Sequence, residues 1–150
     1  MTSSPDRASG STKPSPVPDE VTQPYWDACN EGRLVVQNCT ACSRLQHPPQ
    51  KACYKCGSEN NLGWREMSGR GKVHGYCVSY DSRVMILQEI QPFNLVVIEL
   101  DEDPDIKMLS HLPGTPTSYD KNEVKSGTPV QVVFETTYNG QKVAEWQVVA

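Results

Sequence analysis

Four cysteines are spaced for metal chemistry: Cys39-Thr40-Ala41-Cys42 and, ten residues later, Cys53-Tyr54-Lys55-Cys56-Gly57. A Cys-x-x-Cys turn points two sulfurs the same way, and two such turns close a tetrahedral four-thiolate shell for zinc. Iron fits the same cage, and spacing does not separate the two metals. A closed shell of four sulfurs leaves no position for water or substrate, so the expected metal is structural and activates nothing. Redox dithiols and a disulfide framework are the competing uses of these cysteines. The framework would need an oxidising compartment, whereas the N-terminus lacks the charged start and apolar core of a signal peptide. No apolar run approaches the roughly 20 residues of a membrane helix. A soluble, cytoplasmic protein is therefore expected. Gly57 supplies a left-handed residue after the second pair, and Ser43 fills the equivalent place after the first.

Other reactive side chains give no comparable pattern. Cys77 lies in the middle of an apolar segment and is expected to be a buried thiol, without a His and carboxylate set beside it. His47 is close to the cysteines in sequence, but four thiolates already fill a zinc shell. An enzyme acting alone would have to use Asp81, His74 or His111 as acid or base, and each is more simply a surface residue.

The elements that must hold these groups can be read from patterning. The chain has 150 residues and a net charge of -4. Between residues 33 and 72 lie Arg33, Arg44, Lys51, Lys55, Arg65, Arg70 and Lys72 against Glu59 and Glu66, a local balance of +5 that leaves -9 for the remainder. Four thiolates on a divalent ion carry about -2, which accounts for part of that excess; the rest could attract a phosphate-bearing ligand or an acidic partner. Residues 1–20, rich in Ser and Pro, read as a disordered tail. Residues 21–67 are expected to form a short helix and a zinc ribbon, and 68–150 a barrel. Pro24 suits a first helical turn capped by Thr22 or Gln23, Gly32 stops it, and Val21, Tyr25 and Cys29 share one face. Leu34 to Gln37 and Leu45 to His47 read as ribbon strands, with Trp64 sealing the ribbon against the next segment. After the tight turn Ser68-Gly69-Arg70-Gly71 come five strands: Val73 to Tyr80, Asn94 to Leu100, Ile106 to Leu109, Val130 to Thr136 and Val143 to Val149. Gly75 marks a sharp bend in the first, and Asn139-Gly140 a hairpin. Five strands with uneven loops and a bent first strand fit a small Greek-key barrel of the oligonucleotide/oligosaccharide-binding (OB) type. The class is mainly β.

The order of these segments resembles one family. Pro24-Tyr25-Trp26, Gly32-Arg33-Leu34, the two knuckles, Trp64 to Gly71, and Gly127-Thr128-Pro129-Val130 before Val133-Phe134-Glu135 are similar to the family once labelled domain of unknown function thirty-five, a rubredoxin-like zinc ribbon joined to an OB-fold. The chain departs from that pattern at Ser43, where glycine is usual, and at Glu145-Trp146-Gln147, where the family often ends in a proline-containing segment. The resemblance implies a free-standing, non-catalytic companion of a thiolase-superfamily enzyme, either a thiolase or a thiolase-like aldolase (lyase), in a hetero-oligomer. There it would pack on the thiolase-like subunit and help complete the path for an acyl-CoA thioester, and steroid side-chain degradation is one setting for such aldolases.

On that reading Tyr25, Trp26 and the connection carrying Met85, Ile86, Leu87, Ile90 and Phe93 are expected to meet the partner, because loops seldom carry so much apolar surface. The connection could equally cover the barrel's own open end. For the CoA phosphates, charge alone points to Arg65 and Arg70. Single-stranded nucleic acid is the runner-up ligand, since zinc ribbons and OB-folds both bind it. The acidic barrel half argues against that, because phosphate binding needs the opposite sign.

Overall fold

The computed structural model describes residues 14–112 and 124–149. Helix α1, Gln23–Asn30, starts where expected, with Thr22 as N-cap and Pro24 in its first turn. Thr22 makes no capping bond to the helix. Asp19 instead gathers the entry, its carboxylate accepting the Val21 and Thr22 backbone N–H groups and the Thr22 hydroxyl. Gly32, at φ 75°, ends the helix in a conformation that glycine adopts without strain. Tyr25, Ala28 and Cys29 form the buried face. Burial pushes the Tyr25 hydroxyl well above its ordinary range and Cys29 up to about 11, so both remain neutral.

The ribbon is a three-stranded antiparallel sheet of β1 (Val35–Cys39), β2 (Leu45–Gln46) and β3 (Leu62–Glu66), in the order β2-β1-β3. Strand β3 was not legible in the sequence. Leu62-Gly63-Trp64-Arg65-Glu66 has a glycine and two charges, and it becomes a strand because β1 offers it a full ladder from Val35↔Glu66 to Cys39↔Leu62.

The second sheet is built from β4 (Arg70–Ser79), β5 (Phe93–Leu100), β6 (Lys107–Ser110), β7 (Pro129–Thr136) and β8 (Lys142–Val148), in the order β6-β5-β4-β7-β8. It curls into a half-barrel of OB type. Arg70, Gly71 and Lys72 pair with β7, β4 pairs with β5 from Gly71 onward, and the register against β5 shifts between Val73 and Gly75. One extra residue there lets a single strand serve both neighbours. The same bulge corrects the expectation for Cys77. By re-phasing the alternation it turns Tyr76 toward the level of buried Val96 and leaves Cys77 exposed. Strands β6 and β8 meet across the open side, where the Glu145 carboxylate accepts the Ser110 hydroxyl at 2.6 Å and the His111 backbone N–H at 2.9 Å. The Asn139-Gly140 hairpin forms as expected, with Gly140 at φ 89°.

The connection from 81 to 93 contains a four-residue helix, α2 (Met85–Gln88). The connection between β6 and β7 falls largely outside the described residues, as do residues 1–13 of the expected tail. The described part of that tail, 14–20, is not free of the fold. The Ser15 hydroxyl bonds to Asn139 and Thr137 of the β7–β8 hairpin, and Pro14 lines a cavity beside β6.

Ribbon and barrel share one core. Tyr25, Ala28, Cys29, Val36 and Leu45 belong to the same buried cluster as Val73, Ile98, Leu100 and Trp146. Helix α1 is the bridge: Asn30 accepts the Lys142 backbone N–H at 2.8 Å, and Gln141 Nε2 donates to the Trp26 carbonyl at 3.1 Å. Among the described residues no helix is long and apolar enough to cross a membrane.

The two inner glycines of β4 differ in kind. A Cβ on Gly71 would meet the Glu99 carbonyl oxygen at 2.5 Å and Ile98 Cγ2 at 2.9 Å, whereas a Cβ on Gly75 meets nothing within 4 Å. Gly71→Ala should therefore cost at least the roughly 1–3 kcal/mol of an overpacked core, while Gly75→Ala stays within about 0.5 kcal/mol of the parent in urea unfolding.

Candidate metal centre

The four Sγ atoms of Cys39, Cys42, Cys53 and Cys56 all lie within 4.8 Å of one another. Two pairs that cross between the knuckles, Cys39 to Cys56 and Cys42 to Cys53, are each 3.6 Å apart. A disulfide needs about 2.05 Å. Around a metal with bonds of about 2.3 Å, a regular tetrahedron of sulfurs has edges of about 3.8 Å, so the cluster fits such an ion. Cys39 and Cys53 are buried and Cys56 is exposed, so one side of the cluster lies at the surface.

Local backbone geometry makes the two knuckles alike. Cys39 N–H donates to the Arg44 carbonyl at 2.8 Å, and Cys53 N–H to the Ser58 carbonyl, likewise five residues on, at 2.9 Å. Each knuckle then places one residue in the left-handed region, Ser43 at φ 60° and Gly57 at φ 75°. Ser43 holds without a glycine the turn that Gly57 makes at no steric cost; that conformation costs an L-residue about 1–2 kcal/mol.

Sulfurs this close cannot all ionise by themselves. Backbone N–H groups of Cys56 and Lys55 draw Cys53 down to about 6. Cys42 accepts the Arg44 backbone N–H, which lowers it, yet burial and the neighbouring sulfurs push it up to about 11. A divalent cation resolves that conflict, because it binds thiolates and compensates their charge.

His47 is turned away from this chemistry. It packs on the Tyr25 ring at 5.5 Å between centroids, and burial lowers its pKa to about 4. Asp81 and His74 are exposed, and His74 faces Glu99 at 3.3 Å. His111 sits at the exit of β6.

The residues expected to meet a partner divide. Tyr25 and Phe93 lie at core positions, 8% and 9% exposed, each on the buried side of a regular element. Trp26 is half-buried against the core, edge-on to Tyr25. Leu87, Ile90 and Phe93 turn inward and line a cavity of about 300 Å³ with Leu95, Leu109 and His111. Met85 and Ile86 face out, Met85 at 82% exposure, beside exposed Val84. Sequence reasoning passed over Leu109, exposed on edge strand β6, because its strand reads as ordinary alternation.

Arg65 and Arg70 are exposed on separate strands, β3 and β4. Arg65 is near Glu102: burial raises that carboxyl, but bonds from Ser68 and the Arg65 charge outweigh it and hold the group low. Also passed over were the buried side chains of Gln37 and Gln46, which face the loop carrying Cys53.

Comparison with known proteins gives two family models in series. Residues 26–62 match the ChsH2 rubredoxin-like zinc ribbon domain, and residues 64–135 the ChsH2 C-terminal OB-fold domain. A probable enoyl-CoA hydratase alpha subunit of Thermomonospora curvata is 31% identical over 120 residues, which is 79% of this chain; the chain spans 34% of that relative's length. A DUF35 domain-containing scaffold protein of Methanothermobacter thermautotrophicus is 24% identical over 67% of this chain and 71% of its own. Among solved structures, the Ltp2-ChsH2(DUF35) aldolase aligns with a TM-score of 0.76 at 24% identity, covering 91% of this chain and 100% of that one. A DUF35 protein of unknown function from Sulfolobus solfataricus aligns at 0.59 and 15% identity over 87% and 86%. At these identities the structures establish the shared fold.

Cys42→Ala should lower zinc affinity by more than the roughly 100-fold expected for loss of an outer-layer contact, and should make residues 35–66 protease-sensitive. Full metal content with unchanged protease resistance would refute the assignment. His47 gives a separate pH signature. Its folded pKa lies below the unfolded value, so the unfolded state binds the proton first as pH falls. The contribution is fully present above about pH 6.5 and is lost on the way down to about pH 4. His47→Gln should flatten the pH dependence of stability across that window by roughly 3 kcal/mol at most, read as the difference between the two chains in urea unfolding.

Proposed function

The chain belongs to the ChsH2 (DUF35) family, a rubredoxin-like zinc ribbon followed by an OB-fold, and from that membership we propose that it is an accessory subunit completing a thiolase-superfamily enzyme acting on an acyl-CoA, in the manner of an aldolase. The supporting observation is that its ribbon-and-barrel arrangement aligns with the whole of the aldolase-associated ChsH2 chain. The relative named as an enoyl-CoA hydratase subunit adds acyl-CoA chemistry to the same group of proteins. Steroid side-chain thioesters are the substrate class this reading favours.

The residues fit an architectural role. Zinc, or iron in the same cage, would be held by Cys39, Cys42, Cys53 and Cys56, and when bound supplies cross-linking of the two knuckles. What remains at the surface is apolar contact area. Val84, Met85 and Ile86, together with Leu109 at the cavity, are the exposed apolar side chains a partner would cover. Trp26 contributes its half-exposed edge from α1. Arg65 and Arg70 are the cations offered to CoA phosphates, with Arg65 already shared with Glu102.

The test is co-expression with the thiolase-like protein whose gene lies nearest, followed by cleavage assays on an acyl-CoA aldol substrate with and without this chain. Activity and co-purification are expected only with both. Met85→Asp combined with Ile86→Asp should weaken association by at least about 30-fold, the scale of an interface hot spot, while zinc content stays unchanged. Turnover by this chain unaided, or tight salt-sensitive retention on single-stranded DNA without any association, would overturn the proposal.

A further inference from the structure

The two cysteine turns are alike within themselves but are tied to the sheet by different means. Cys39 and Cys42 ride on the β1–β2 hairpin, closed by the Cys39 to Arg44 backbone bond. Cys53 lies on a loop that begins after β2 ends at Gln46, and among the described residues no strand runs beside residues 48–54. Two side-chain amides take that place. Gln37 Oε1 accepts the Gln50 backbone N–H at 2.9 Å and its Nε2 donates to the Gln50 carbonyl at 3.0 Å. Gln46 Nε2 donates to the Ala52 carbonyl and Gln46 Oε1 accepts the Tyr54 backbone N–H, both at 3.2 Å. Ala52 and Tyr54 flank Cys53. The second Gln46 Nε2 hydrogen goes to Gln37 Oε1 at 2.6 Å, which joins the two clasps.

The network fixes its own orientation. Turning the Gln46 amide over would set its NH₂ against the Tyr54 N–H and its oxygen against the Ala52 carbonyl. Both side chains are buried, Gln37 at 5% and Gln46 at 0% exposure, so their amides would be costly without partners. Here each amide oxygen and nitrogen is bonded, and two Gln side chains reproduce what a neighbouring β-strand would offer to Gln50, Ala52 and Tyr54.

We propose that Gln46, with Gln37 behind it, is a positioning residue of the metal centre, whose amide holds Cys53 and Cys56 against Cys39 and Cys42 before the ion arrives. Each turn is closed by its own main-chain bonds, but the first is carried on the sheet by strand pairing and the second is tied to it by the two amides. Removing an amide frees the loop, and the ion must spend part of its binding energy on ordering it. The inference depends on the four-sulfur site and is independent of any partner enzyme.

The experiment uses the full zinc-loaded chain in competition with a chromophoric chelator at fixed pH. Gln46→Met keeps the side chain's shape and removes the amide. It should weaken zinc binding 10- to 100-fold, the range for outer-layer contacts at metal sites. During chelator challenge, mass spectrometry of alkylated protein should find Cys53 and Cys56 modified before Cys39 and Cys42. Val36→Ala is the control: Val36 is fully buried on β1, so its truncation lowers stability, yet it should leave zinc affinity within about 3-fold. Wild-type affinity in Gln46→Met, an equal affinity loss in Val36→Ala, or simultaneous labelling of all four cysteines would each overturn the proposal. Should Gln46→Met not fold, Gln37→Met removes the clasp on Gln50 and is read in the same way, with unchanged affinity there also overturning it.

Discussion

The convergence of four sulfurs within 4.8 Å is the constraint on which the N-terminal half depends. The ribbon has two five-residue strands, one of them half-exposed, and one strand of two residues, too little to bury a core of its own. Thiolates bound to a common ion join residues 39–42 to residues 53–56 by bonds stronger than any contact such a sheet can make. With that pin in place, Val36 and Leu45 can face α1 and the barrel, and the shared core is the result.

How much was legible in the sequence depends on the range over which each signal acts. The knuckles, the left-handed residues after them, the Pro24 helix start and the Asn139-Gly140 hairpin are local, since spacing and turn chemistry decide them within a few residues. Strand β3 was missed because Leu62 to Glu66 has little intrinsic preference and takes its conformation from β1. Cys77 was placed on the wrong face because one bulged residue inverts every side chain beyond it, and periodicity read from the sequence does not register the insertion. Tyr25 and Phe93 look like contact residues when judged as aromatics alone, and only the closing of helix and strand onto the core shows that they are already used. Gln37 and Gln46 carry no sequence signal at all: a buried glutamine is recognised by the groups it faces.

The same distinction applies to the connection between β4 and β5. Its apolar residues were equally compatible with covering the barrel or meeting a partner, and the structure divides them by orientation. Leu87, Ile90 and Phe93 face the cavity, while Met85 and Ile86 point outward. Under the proposed accessory role, a partner covering the outer side would lie one layer from the side chains on the inner side.

Helix α1 has a further consequence. Its inner face belongs to the common core, and Asn30 and Trp26 are tied to the hairpin at the far end of the chain. Severing the polypeptide between β3 and β4 would thus yield two fragments with raw apolar faces rather than two modules. The ribbon cannot be shuffled onto a foreign barrel unless the recipient carries a matching seat for the helix, so inheritance of the two halves should be linked.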